Sequence, residues 1–357
     1  MKDKFKFAVV DTSPNRIPQF KETLNARGYV NYGPDNMTPD FYRMLSTESA
    51  TLHSVIQATV TYICGNGVVA GEKADRWKDR VNRKGQTLND LVSCLAQDYL
   101  TYGGYAFQII YSKLLTVAEL IPLPFGNTRV SENGEKVYYC QKWGVYTNKT
   151  VKEYDAYNRE KIDPENPTQI YWFKGNARTY YPLPPYFGAQ RDCLAEIEAS
   201  KLQLNELSNG LAPKSIITFG NASMMTDDEK RDIEKAIREK FTGTEASTFM
   251  VYFNEEGQAD LRVDSIKTEN DTERFIKLKE STQENIFTAM RCPPQLLGKY
   301  PNDGNKGFSK VEYLECFEIY NRTVVKGYQT TLLRSLREVL ATPDIKILPF
   351  SLDQQEE

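Results

Sequence analysis

Histidine is almost missing. His53 is the single one in 357 residues, so no multi-histidine metal site can be built and a Ser-His-Asp triad has one base to draw on. It sits beside Leu52 and Val55 in a helical pattern and is expected to be a structural or surface side chain. The six cysteines (Cys64, Cys94, Cys140, Cys193, Cys292, Cys316) lie far apart with no CxxC pair. That removes the usual zinc and dithiol signatures and leaves buried reduced thiols as the expectation. No run nears the roughly 18 uninterrupted apolar residues of a membrane span. The first ten residues are charged and then meet Asp11, so a signal-peptide apolar region is missing and a cytosolic product is expected. Charge does not lean either way. The 45 basic and 48 acidic residues give a net charge of -3, which argues against a basic nucleic-acid coat but not against local charged bands.

Apolar residues at 40% and charged residues at 26% describe a globular chain, long enough for two or three compact units at roughly 100–200 residues each. Tyrosine (22) and phenylalanine (17) are abundant. Stacking on single-stranded nucleic acid would use them, but they are spread through strand-like runs, where sheet packing explains them. Tyr180-Tyr181-Pro182-Leu183-Pro184-Pro185-Tyr186 is expected to be a docking or interface loop.

Residues 1–45 show no sustained period and read as an arm, ordered only through contacts with something else. Helical spacing then appears in Ser49–Cys64, with Gly65 as a stop. A second helix opens at Thr87, with Asp90 completing a capping-box-like start, and ends before Gly103-Gly104. Strands are expected at Tyr105–Tyr111, Val117–Pro122, Val137–Tyr146, Thr150–Tyr154 and Gln169–Lys174. Residues 50–180 therefore read as an α+β domain with a meandering antiparallel sheet. A helix of about twenty residues follows from Gly188 to Ser208. Next comes a β-α-β insert: strand Ser215–Phe219, helix Asp227–Phe241 and strand Thr248–Phe253. A helix from Asn270 to Arg291 ends at Pro293-Pro294. A polar Gly-rich stretch, Lys299–Gly307, precedes a last long helix, Ser309–Leu340, capped by Ser309 and Glu312. Its apolar stripe is Val311, Leu314, Phe317, Val324, Tyr328, Leu332, Leu336 and Val339.

Three clusters invite chemistry. Asp227-Asp228-Glu229 is better read as acids in a first helical turn than as metal ligands. Lys299–Gly307 has lysine and glycine but neither the GxxxxGK[ST] order nor a preceding strand. It reads as a mobile polar loop able to touch a polyanion. The charged face of the Asn270–Arg291 helix (Asp271, Glu273, Lys277, Lys279, Glu280, Glu284) is a solvated face or, in a ring, a channel lining. No motif is catalytic on its own evidence.

The order of these elements resembles a family. The helix end at Asn209-Gly210, followed by Ala212-Pro213-Lys214-Ser215-Ile216-Ile217, is similar to a junction in portal proteins of tailed bacteriophages with long non-contractile tails. Thr226-Asp227-Asp228-Glu229 looks like that family's next segment. Met290-Arg291-Cys292-Pro293-Pro294-Gln295-Leu296-Leu297-Gly298 resembles its V-P-P-x-L-L-G signature, with Arg291-Cys292 where the family usually has a small or β-branched residue. Tyr102-Gly103-Gly104-Tyr105-Ala106 and Ile121-Pro122-Leu123-Pro124 are similar to two further stretches.

The resemblance implies an α+β portal-like protomer: a wing (46–187 and 310–341), two stem helices (188–212 and 263–295), a small β-α-β clip (213–262), a tunnel loop (296–309) and a short C-terminal crown or tail (342–357), after the 1–45 arm. It implies a virion protein made in the host cytoplasm, without cofactor, metal or membrane. The expected assembly is a homo-oligomeric ring, usually of twelve copies, at one capsid vertex. Double-stranded DNA passes through it during packaging and ejection. The terminase large subunit, a head–tail adaptor and the major capsid protein are the implied partners. DNA would meet Lys299, Asn302, Asp303, Asn305 and Lys306 in the tunnel loop, and Asp271, Glu273, Lys277, Glu280 and Glu284 on the stem. A dozen helices at about 10 Å spacing leave a bore near 28 Å, wide enough for a duplex of roughly 20 Å. Two rival readings remain open: a Mg²⁺-dependent nucleic-acid enzyme using Asp227, Asp228 and Asp303, and a monomeric scaffold or adaptor.

Overall fold

The computed structural model describes residues 21–145, 150–175, 177–208, 216–219, 250–253, 271–299 and 309–350. The architecture is α+β. The chain divides into two compact units, one made of residues 1–194 and 283–357, the other of 195–282.

In the first unit a six-stranded sheet carries the order β5-β4-β9-β8-β7-β6. Its strands are β4 (Tyr105–Tyr111), β5 (Val117–Leu123), β6 (Thr128–Val130), β7 (Lys136–Tyr139), β8 (Lys152–Ala156) and β9 (Thr168–Phe173). The alternating and β-branched runs mark five of these strands to within a few residues; β6 was not expected, and β7 stops at Tyr139, with a 3₁₀ turn following at Trp143–Val145. The expected antiparallel meander is broken at two places. The consecutive strands β5 and β6 stand on opposite edges of the sheet, with β4 pairing β9, and the joining of β8 to β9 is not antiparallel. β8 and β9 pair in parallel, Asp155 opposite Gln169, so residues 157–167 must cross from the end of one strand to the start of the next. Gln169 makes that crossing possible. Its buried amide donates to the carbonyls of Asn158 (3.1 Å) and Lys161 (2.8 Å), and accepts from the Tyr111 hydroxyl (2.9 Å) and the Asn158 N–H (3.2 Å). All four hydrogen-bonding positions of the amide are used, which a strand-period pattern cannot reveal.

Helices α2 (Ala50–Cys64) and α4 (Leu88–Tyr102) pack against each other. Ser49 caps α2 by accepting from the Leu52 N–H, and Thr87 with Asp90 forms the reciprocal box that starts α4. The donors at Thr87 hold the Asp90 carboxyl below its ordinary range. Gly103 ends α4 with φ 82°, and a Cβ there would fall 2.2 Å from the Leu183 carbonyl oxygen, so this turn needs glycine.

The expectation of an N-terminal arm does not fit residues 21–48. They form a hairpin, β1 (Glu22–Leu24) with β2 (Val30–Tyr32), and helix α1 (Thr38–Glu48). Val30, Tyr32 and Tyr42 are buried with Ala106, Phe125, Val130, Val137, Ile170 and Tyr181 in one core cluster. The signal was too weak to read, because a three-residue strand is shorter than the roughly four to eight that a strand pattern needs, and the three-turn helix buries polar Thr38 and Ser46 beside Tyr42 and Leu45. Residues 1–20 lie outside the described residues.

The other elements of this unit are the short pair β3 (Val68–Val69) with β12 (Lys346–Ile347), the five-residue helix α3 (Asp75–Asp79), and the C-terminal helices α7 (Lys310–Tyr320) and α8 (Lys326–Leu340). The Ser309–Glu312 box opens α7 as expected. The expected single helix is interrupted by a π turn at Asn321–Val325. Apolar residues keep helical spacing on both sides of it, so nothing in the pattern marks the wider turn. Val311, placed on the buried stripe by its spacing, is 62% exposed. Of the cysteines, Cys94 is exposed and Cys316 half-buried, contrary to the expectation of uniformly buried thiols; the other four are buried and all six are unbridged.

Asp98 is enclosed between α4 and the 3₁₀ turn Phe125–Asn127, where it accepts the Phe125 N–H at 2.8 Å. Burial pushes its carboxyl up to about 7 despite that donor. A raised acid favours the protonated folded state, so its contribution is fully present below the unfolded value near 4 and is lost as pH rises to about 7. Asp98→Asn keeps the acceptor and removes the charge. Urea midpoints measured from pH 4 to 8 should therefore show the variant gaining on the wild type, with the gap opening between pH 4 and about 7. Parallel curves would refute an enclosed charge.

In the second unit α5 (Gln190–Ser208) and α6 (Asp271–Met290) continue in from the first, and β10 (Ile216–Phe219) pairs in parallel with β11 (Met250–Phe253). A parallel pair needs a crossover connection. The helix expected at Asp227–Phe241, with its Thr226–Glu229 box, lies outside the described residues.

Candidate functional site

The segment from α6 to the Lys299 region carries most of the candidate residues. Thr282, Ile286, Phe287 and Met290 bury one side of α6, and Asn285 donates to Asp192 of α5 at 2.8 Å. Lys277, Lys279 and Glu284 are exposed and Glu280 is half-buried. The mixed-charge face is therefore real along the described part of the helix. Asp271 and Glu273 lie on its first turn, their side chains outside the described residues. The apolar side expected for this helix is not wholly covered. Leu278 is 53% exposed and Ile276 50%, and on α5 Leu204 is 64% exposed. Three large aliphatic side chains therefore stand at least half in water on these two long helices.

The end of α6 is a reversal built by Arg291-Cys292-Pro293-Pro294-Gln295-Leu296-Leu297-Gly298. Arg291 adopts φ 53°. Its N–H donates to Thr288 O and the Cys292 N–H reaches back to Phe287 O, both at 3.0 Å, the pairing of a Schellman cap. Pro293 is extended, Pro294–Leu297 makes a 3₁₀ turn that buries Leu296, and Gly298 closes it in the left-handed region at φ 74°. Two prolines and a left-handed glycine give this motif its stiffness. Cys292 is buried at the turn and its thiol is pushed up to about 11, which makes it a packing side chain rather than a nucleophile.

This reversal determines what Lys299 does. Its ammonium folds back on α6, donating to Gln283 Oε1 at 2.8 Å and lying 5.8 Å from the centre of the Phe287 ring. The loop cation is thus an anchor at the loop's first residue. Asn302, Asp303, Asn305 and Lys306 lie outside the described residues, as do Asp227 and Asp228.

The aromatic strap before α5 is not the docking loop it was expected to be. Tyr181 and Tyr186 are fully buried. The Tyr181 hydroxyl donates to Val30 O, Tyr186 donates to Thr101 O at 2.8 Å, and Tyr32 donates to Pro182 O at 3.0 Å while stacking on Tyr181 at 4.0 Å. Burial raises all three phenols. The strap clamps the entry to α5 onto the N-terminal hairpin. Pairing of hydroxyls with carbonyls so distant in sequence leaves no spacing signal.

Arg129 was also missed. It is 1% exposed, donates to Asn36 Oδ1, Asn36 O (2.7 Å), Gly126 O (2.8 Å) and Thr128 O (2.7 Å), and lies 4.6 Å from the Trp143 ring centre. Burial lowers its pKa to about 10, which leaves it charged near neutral pH. His53 is exposed, its Nδ1 3.0 Å from Ser46 O. Among the described residues no group of three or more His, Cys, Asp or Glu side chains could hold a metal ion. No described helix is long and apolar enough to cross a membrane.

Residues 43–324 match the family model described as phage portal protein. No curated protein matches the chain. Among solved structures, a chain from the neck of an empty gene transfer agent particle, computed with C6 symmetry, superposes with a TM-score of 0.59 at 15% identity over 94% of this chain and 87% of that one. A chain from the neck of the native particle, computed with C12 symmetry, gives 0.57 at 15% identity with the same coverage. One from the native virion gives 0.56 at 17% identity, covering 88% of this chain and 85% of that one. At these identities the likeness is one of fold.

Proposed function

The chain belongs to the phage portal protein family, and from that premise we propose that about a dozen copies form a ring at one capsid vertex, through which double-stranded DNA is packaged and ejected. The observation that carries the reading is the exposed aliphatic set Leu204, Ile276 and Leu278 on helices whose other described exposed side chains are mostly charged or polar. A ring covers such residues between neighbours. The neck structures of like fold, computed with C6 and C12 symmetry, support a cyclic assembly. In this reading α5 and α6 are the stem, residues 213–262 the clip that meets the terminase large subunit and later the head–tail adaptor, and residues 46–187 with 310–341 the wing beside the major capsid protein. The role is structural: a passage and a joint.

A mixed, slightly acidic lining suits a passage. Each phosphate held by a cation releases counterions and adds affinity, so a strongly basic bore would stall the DNA. Asp271, Glu273, Lys277, Glu280 and Glu284 supply such a lining, with Asn302, Asp303, Asn305 and Lys306 in the loop. Lys299 sets the loop's root. Lys306→Ala virions should retain less of a full genome, and Lys299→Ala should show a milder loss, because its cation is engaged with Gln283. Genome length in purified particles reads both.

Mass photometry of the purified chain, alone and with the capsid proteins, tests the ring. A closed assembly of about a dozen copies with a hole of duplex width is expected. A monomer under both conditions overturns the reading.

A further inference from the structure

One cavity of the first unit has a chemistry that a passage does not use. It holds about 680 Å³, and Lys174, Arg178 and Arg291 bring three cations to its wall, where none of the described residues is acidic. The Lys174 ammonium is steadied by Thr179 O at 2.8 Å. Arg291 occupies a left-handed cap position at φ 53°, where glycine is the unstrained choice. The rest of the wall is apolar or aromatic: Leu183 stands partly exposed, and Tyr99 meets Tyr328 edge-on at 4.9 Å. Three cations without a carboxylate call for an anion, and the apolar wall calls for an aliphatic side chain beside it. A duplex is a convex rod about 20 Å wide and cannot enter a cavity of this size. A peptide can.

The chain carries a segment of that composition, Leu352-Asp353-Gln354-Gln355-Glu356-Glu357. It follows Phe350, whose ring packs 5.3 Å from Tyr62 and 5.6 Å from Phe317. One turn beyond Phe317, Tyr320 adjoins Cys292, the neighbour of Arg291. Seven residues beyond Phe350, if extended, would span about 23–25 Å. We propose that the cavity lined by Lys174, Arg178 and Arg291 is the docking site for the acidic segment Leu352–Glu357 of a copy of this chain. The inference does not depend on ring formation.

Zero-length carbodiimide cross-linking of the full chain, read by peptide mass mapping, tests it. A link from Lys174 to Asp353, Glu356 or Glu357 is expected. The Lys136–Asp155 pair at 2.7 Å serves as the control for a folded chain in the same digest. Arg178→Glu, and separately the triple change Asp353→Asn, Glu356→Gln, Glu357→Gln, should each lower the Lys174 link about fivefold or more while sparing the control. Mixing ¹⁴N and ¹⁵N chains tells whether the segment comes from the same or a neighbouring copy, and either origin supports docking. A control link without the Lys174 link overturns the proposal. So does loss of the Lys174 link on adding excess duplex oligonucleotide, which would make the cavity a nucleic-acid site.

Discussion

Arg129→Met should lower the unfolding free energy by about 3–5 kcal/mol, the cost of breaking a fully buried charged network. The side chain ties the Asn36 turn to the sheet, through the Asn36 side chain and carbonyl on one side and Gly126 O and Thr128 O on the other. Methionine fills much of the volume but donates nothing, so carbonyls already withdrawn from water lose their partner. Arg129→Lys keeps the charge and loses the planar fork, and should be nearly as damaging. Urea unfolding followed by tryptophan fluorescence is a direct readout, since Trp143 lies against the guanidinium and Trp172 in the same core. A cost under about 1 kcal/mol for Arg129→Met would show that the hairpin and α1 are held by apolar packing alone.

The second large effect concerns assembly. Ile276→Asp with Leu278→Asp should abolish ring formation while changing the stability of the single chain by less than about 0.5 kcal/mol per site, because both side chains already stand about half in water. In a ring each would bury a charge against a neighbour, at several kcal/mol per site and repeated at every interface. Mass photometry should show the ring species lost while far-UV circular dichroism of the single chain stays unchanged. Rings that survive both changes would place these residues outside the contacts between copies, and the exposed aliphatic set would then need another partner.

The outcome for the N-terminal region and for Lys299 shows where reading a sequence stops. Residues 21–48 looked like an arm because their strands are three residues long and their helix mixes polar with apolar residues on its buried side, yet Tyr32 and Tyr42 sit at zero and 2% exposure in the core. What holds them is Arg129 and Tyr181, side chains about one hundred and one hundred and fifty positions away. Lys299 follows the Pro-Pro-x-Leu-Leu-Gly reversal, where the sequence places the start of a polar loop. Its engagement with Gln283 depends on how that reversal folds back on α6, which no spacing encodes.

The sequence by itself determined the elements whose causes are local. Thr87–Asp90 and Ser309–Glu312 are caps made between residues three apart. Tyr105–Tyr111 alternates as a strand must, α2 and α6 carry their buried faces at helical spacing, and the Pro-Pro-x-Leu-Leu-Gly motif pointed to the family. Only the tertiary structure decided the parallel joining of β8 to β9 through Gln169, the π turn at Asn321–Val325, the burial of Arg129 and Asp98, and the gathering of Lys174, Arg178 and Arg291 around one cavity. The physical reason is range. Caps and periodicity act over a few residues and leave their mark in spacing, whereas burial and hydrogen bonding between distant segments are settled only when the chain closes on itself.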